Sequence, residues 1–217
     1  MSVTGIVLAA GAGSRAGFPK ALAREPDGTP WLHLAVAALA PCDRVIVVLG
    51  AGVDNAQALD GAGVDNAHAL GDAGADDARP LVAAGADDAR ALVPAGAETV
   101  IAEHWARGQS ASLVAGLDAA TGDAALVTLV DLPGLPLTAV ERMLRPATRA
   151  SLAQAVYGSR PGHPVLLGAD HWSPLRDQLA GDRGARPYLV AHGVLEVECG
   201  DLWHGRDDDR PTRYDPR

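Results

Sequence analysis

The sequence predicts an α/β fold in which a three-layer, open, mostly parallel sheet carries helices on both faces. Three observations lead there: short apolar runs, helical stretches between them, and a glycine-rich turn after the first run. The apolar runs are "GIVLAA" (5–10), "RVIVVLG" (44–50) and "AALVTLVDLP" (124–133). Each is continuous rather than alternating, as in strands buried on both faces of a parallel sheet. The stretches 29–40, 109–120 and 136–148 carry apolar residues at helical spacing, with Thr138 as the expected N-cap of the last. Such alternation of strand and helix places ligands at the carboxyl ends of the strands.

Composition fits one domain over residues 1–217: 48% hydrophobic and 21% charged residues suit a single sizeable core. A formal net charge of −9 argues against a nucleic-acid backbone or an anionic membrane as partner, so an anionic small ligand would need a local basic pocket. Cys42 and Cys199 lack metal-ligand spacing and read as buried packing residues in a reducing cytoplasm. No apolar run reaches the roughly 18 residues of a spanning helix, and the N-terminus lacks a basic leader.

One segment interrupts the rhythm. Ala51, Ala62, Ala73, Ala84 and Ala95 mark an eleven-residue tandem period, an insertion at about 51–94. Eleven residues span three helical turns, yet each copy holds glycine and the third holds Pro80. Short helices started by Asp54, Asp65, Asp76 and Asp87 are therefore expected rather than one long helix or a solenoid.

The turn after the first run reads "LAAGAGSRAGFPKAL" (8–22). Glycines between strand and helix let backbone N–H groups approach phosphate oxygens, and Arg15 and Lys20 would neutralise the remaining charge. No Gly-Lys-Ser/Thr of a Walker loop occurs. Gly11, Gly13 and Ala16 nominally satisfy a dinucleotide fingerprint, but Gly17 and Pro19 interrupt the helix it requires, and "VVLGAG" lacks the acid expected after the second strand.

This loop resembles the signature of the MobA-like nucleotidyltransferases. The blocks "WARGQSASLVAGL" (105–117), "LVDLPGL" (129–135), "RPGHPVLLG" (160–168) and "LAGDRGARPYL" (179–189) are similar to the branch containing molybdenum cofactor cytidylyltransferase. The resemblance implies a Rossmann-like nucleotide-diphospho-sugar transferase fold, with Mg²⁺ as cofactor. It also implies two substrates, a nucleoside triphosphate and a phosphorylated pterin-type acceptor, in a cytoplasmic monomer or weak homo-oligomer. The repeat departs from the family, which has one such helical segment; residues 84–94 would be its equivalent.

Carried onto this chain, the resemblance puts the triphosphate along Leu8, Ala9, Ala10, Gly11, Ala12 and Gly13, clamped by Arg15 and Lys20. Lys20 would follow charge onto the departing pyrophosphate. Asp131, at the end of an apolar strand, suits a magnesium ligand, though a helix N-cap is the competing role. The tail "GRDDDRPTRYD" (205–215) resembles the family's two-acid ending, which aligns Asp207 and Asp209 with those acids and names Asp209 as a second metal ligand. Arg210 and Arg213 show that this tail has drifted. His163 would act near the acceptor or metal, or bond to backbone in a turn. Gln109, Ser110 and Ser112 suit the base or sugar, and Asp182, Arg183 and Arg186 the acceptor phosphate.

The expected function is transfer of CMP from CTP to molybdopterin cofactor with release of pyrophosphate. Two rivals stand beside it. Nicotine blue oxidoreductase resembles the same branch, which implies an NAD(P)H-dependent alternative; a nucleotide- or cofactor-binding protein without turnover is the other.

Overall fold

A computed structural model describes residues 1–13, 18–50 and 89–208. The strands are β1 (Val3–Leu8), β2 (Arg44–Leu49), β3 (Ala97–Ile101), β4 (Ala124–Leu129), β5 (Leu152–Tyr157), β6 (Arg160–Gly168) and β7 (Leu195–Glu198). They form one sheet in the order β3-β2-β1-β4-β6-β5-β7. β3, β2, β1 and β4 are parallel, β7 runs parallel to β5, and β6 alone is antiparallel to both its neighbours. The three runs singled out in the sequence are β1, β2 and β4, all in the parallel part.

Strand residues alternate between two cores, because successive side chains leave opposite faces of a pleated strand. Val3, Val7, Val45, Val47, Ala124 and Leu126 belong to one core. Their neighbours Ile6, Leu8, Ile46, Val48, Ala125 and Val127 belong to the other. The first core is covered by α1 (Trp31–Ala38) and α3 (Leu137–Leu144), and the second by α2 (Gln109–Ala119), α4 (Trp172–Arg176) and α5 (Arg186–Ala191). Burial on both faces is why these runs read as continuously apolar.

Helix α2 crosses the sheet closely. A Cβ at Gly116 would lie 2.9 Å from Ile6 Cγ2 and 3.2 Å from Val48 Cγ2, so only glycine lets this helix settle over β1 and β2. Helix α3 starts two residues earlier than Thr138 predicts. Pro136 is its N-cap, and no side chain caps it; the fixed φ of proline already suits a helix entrance. Cys42 and Cys199 are free and buried, as expected, and burial pushes the Cys42 thiol up to about 12. The short-helix reading of the repeat lies outside the described residues up to 88. At its end Ala89 is buried in the first core, and Leu92 and Val93 pack against it.

Candidate active site

The carboxyl ends of β1 and β4 lie side by side, with Leu8 paired in register to Leu129. Beyond them opens a cleft of about 650 Å³, lined by Leu8 to Gly13, Lys20, Trp105, Gln109, Ser112, Asp131, Asp182 and Asp207, among others. The sheet continues briefly into the glycine turn through the Ala9 N–H bond to Val48 O at 2.9 Å. A Cβ at Gly11 would meet nothing within 4 Å, so the backbone there faces open cleft. Gly13 has φ +65, and a Cβ would collide with the Phe18 carbonyl, so the turn requires glycine at this position. Arg15 lies outside the described residues.

Lys20 opens a 3₁₀ turn, Lys20–Leu22, behind an extended Pro19; Ala21 and Leu22 anchor that turn in the core. Its Nζ reaches across the cleft to Asp131 Oδ2 at 2.9 Å, with both side chains a little under one-fifth exposed. Asp131 follows β4 by two residues. Its other oxygen, Oδ1, is buried with no hydrogen-bond partner among the described residues. A desolvated carboxylate oxygen without a partner is costly unless something charged completes it. Asp207 lines the same cleft, and the tail is tied down where Asp208 N–H donates to Asp131 O at 2.9 Å. Two hard carboxylates beside a glycine turn could hold Mg²⁺, which takes one or two protein carboxylates and leaves its other positions to water and phosphate. The described residues thus bring Asp207 to Asp131; Asp209, the expected second ligand, lies outside them.

A second pocket, about 270 Å³, adjoins the cleft and shares Leu8 and Gln109 with it. His163, Arg183 and Arg186 line it over a floor that includes Leu113, Val127 and Val165. His163 reaches this edge because β6 is antiparallel to β4, with Val127 opposite Val165, so the beginning of β6 meets the end of β4. Its Nδ1 sits 3.3 Å from the Val127 carbonyl. A carbonyl only accepts, so Nδ1 carries the proton and Nε2 is left as an acceptor. Burial lowers the imidazole pKa below the ordinary 6.5, outweighing the Val127 carbonyl and the charges of Asp131 and Asp207. His163 is therefore a neutral base near the two acids at pH 7.

The expected site residues divide accordingly. Leu8 to Gly13, Lys20, Gln109, Ser112 and Asp131 share the cleft; His163, Arg183 and Arg186 share the adjoining pocket. Asp182, expected with the acceptor, lines the cleft instead. Ser110 departs from expectation. It is buried and lines a separate groove with His104, Arg107 and Asp118. Gln109 and Ser112 are three residues apart and share one face of α2, which turns Ser110 away. Trp105, with no expected role, also lines the cleft and stands in the block that enters α2. Gly50 makes room for it: a Cβ there would be 2.6 Å from Trp105 Cβ.

Nicotine blue oxidoreductase of Paenarthrobacter nicotinovorans is 34% identical over 219 residues, covering 95% of this chain and 92% of its own length. The crystal structure of a homologue of Mycobacterium tuberculosis Rv0371c, from Mycobacterium sp. strain JC1, is 26% identical with a TM-score of 0.65, covering 91% of this chain and 85% of that one. The manganese complex of Rv0371c itself, at 21% identity and a TM-score of 0.64 over 92% and 89% of the two chains, shares the fold. These neighbours and the seven-stranded sheet bear out the Rossmann-like nucleotidyltransferase fold. Residues 5–196 match the MobA-like NTP transferase domain, and the chain belongs to that family.

Proposed function

We propose that this protein transfers CMP from CTP to a phosphate of molybdopterin cofactor, using Mg²⁺ and releasing pyrophosphate. The observation that carries the reading is the Lys20–Asp131 pair, which lines one cleft with the glycine turn, beside the adjoining pocket of His163, Arg183 and Arg186. A triphosphate laid on Gly11 to Gly13 would meet Lys20 at its phosphates, with Arg15 a further candidate clamp. Arg183 and Arg186 would hold the acceptor phosphate, for which guanidinium is well shaped. An oxygen of that phosphate attacks the α-phosphorus; the new P–O bond forms as the bond to the β-phosphate oxygen breaks, and pyrophosphate leaves with the bonding pair. Neutral His163 can accept a proton at Nε2 from an acceptor that arrives protonated. Asp131, with Asp207 or Asp209, would hold Mg²⁺, which neutralises charge on the phosphates. A neighbour that shares the fold was solved as a complex with manganese, a divalent ion. The choice of CTP and of the pterin acceptor rests on the "GHP" and "GDRGAR" blocks.

A reductase is the second reading, favoured by the 34% identity to nicotine blue oxidoreductase. Binding without turnover is disfavoured by the intact Lys20 and Asp131. The deciding assay measures pyrophosphate release from each of the four NTPs with molybdopterin cofactor, alongside NADH and NADPH oxidation with a quinone-like pigment. Release with CTP alone supports the proposal; NAD(P)H oxidation with silence toward every NTP overturns it.

A further inference from the structure

The two pockets meet at the N-terminus of α2, and the loop that starts at Gly181 is fastened there. Asp182 Oδ1 accepts the Gln109 N–H at 3.3 Å, and Gly181 O accepts the Ser110 N–H at 3.1 Å. These are two of the four N–H groups that a helix leaves without internal partners. Gly108, just before the helix, has φ +106, and a Cβ would collide with Asp182 Oδ1 and come within 2.7 Å of Gly181 C. A Cβ at Gly184 would come within 3.4 Å of Gln109 Oε1. Between these fastening points Arg183 lines the second pocket, while Gln109 borders both spaces and Ser112 borders the cleft.

We infer that Asp182 is a positioning residue that latches the Gly181–Arg186 loop to the first turn of α2, so that filling the acceptor pocket tightens the nucleotide cleft. An anion held by Arg183 fixes the loop, the loop fixes Gln109, and Gln109 is a wall of the cleft. A carboxylate suits this role better than direct phosphate contact, since two like charges in contact repel. By linkage the coupling is reciprocal: nucleotide in the cleft also favours the acceptor. The coupling rests on the transferase reading, whereas the latch itself does not.

The test has two arms on the full chain. In ligand-free protein, Asp182→Ala should raise amide hydrogen exchange at Ser110 and across 181–186 roughly tenfold, as expected for a lost charge-assisted hydrogen bond, with exchange in β1 and β4 unchanged. Asp182→Asn keeps an oxygen for the Gln109 N–H and should restore most of the protection. In turnover, the KM for CTP should fall severalfold between low and saturating molybdopterin cofactor in the wild type and in Asp182→Asn, and stay flat in Asp182→Ala. Wild-type exchange at Ser110 in Asp182→Ala overturns the latch. An Asn variant that regains the exchange protection yet loses the CTP coupling as the Ala variant does overturns the coupling through the latch, because the charge would then act on ligand directly. A KM for CTP that ignores the acceptor in the wild type overturns the coupling. A chain that turns over no NTP refutes the transferase reading and the coupling that rests on it, and the exchange arm still decides the latch.

Discussion

Replacing Asp131 by Asn separates what this residue does for the fold from the metal-binding role proposed for it. In the ligand-free protein Asp131 has one ion pair, 2.9 Å to Lys20, between side chains 18–19% exposed, and one buried oxygen without a partner among the described residues. Losing a partly screened pair costs about 1 kcal/mol. Removing the charge from a poorly solvated oxygen offsets part of that cost. The midpoint of thermal unfolding should therefore fall by no more than about 2–4 °C for a chain of this size. Ligand binding should respond far more. Metal and CTP at a hundredfold their dissociation constant stabilise the wild type by about 2.7 kcal/mol, or roughly 5–10 °C. The variant should lose most of that shift, and pyrophosphate release should drop roughly 10²- to 10³-fold, the usual cost of one electrostatic contact at a transferring group. Thermal unfolding with and without Mg²⁺ and CTP, together with a pyrophosphate assay, measures all three. Turnover within threefold of wild type, still dependent on Mg²⁺, refutes the metal assignment; a collapse of ligand-free stability by tens of degrees shows that Asp131 is chiefly structural.

Deleting residues 51–83 should preserve the fold, with a midpoint within a few degrees of wild type and most of the activity, because loop length changes closure entropy only slowly. The deletion spares Ala89, Leu92 and Val93, which pack in the core. A soluble deletion variant that no longer binds CTP would instead make the repeat part of the site. His163 predicts a pH signature. Its folded pKa lies below the ordinary 6.5, so the unfolded chain takes up the proton first as pH falls. Its contribution to stability is thus complete above about pH 6.5 and lost below it. Urea unfolding of metal-free protein from pH 5 to 8 should show a flatter acid slope in His163→Gln than in wild type, and parallel slopes would show that His163 is not held neutral by burial.

Much of this protein is legible in one dimension because its physics is local or periodic. Uninterrupted apolar runs mark β1, β2 and β4, since a strand covered on both faces has no polar side to show. The glycine turn and Lys20 stand out because bare backbone beside a fixed charge is a local pattern, and Asp131 stands where a parallel strand ends. Helical phase is subtler: Ser110 looks equivalent to Gln109 and Ser112 in the sequence, and only the rotation of α2 over the sheet turns it away. The entry to α3 is ambiguous in sequence for a related reason, since Pro136 competes with Thr138 and the packing of Ala139, Val140 and Met143 decides the start. What tertiary structure alone decided is which distant segments meet. The antiparallel β6 brings His163 to the end of β4, the tail returns Asp207 to Asp131, and the loop at Gly181 closes on α2 through Asp182. These contacts join residues 36 to 77 positions apart in the chain. No residue type or spacing encodes them, because they arise from strand order and from the burial that the whole sheet makes possible.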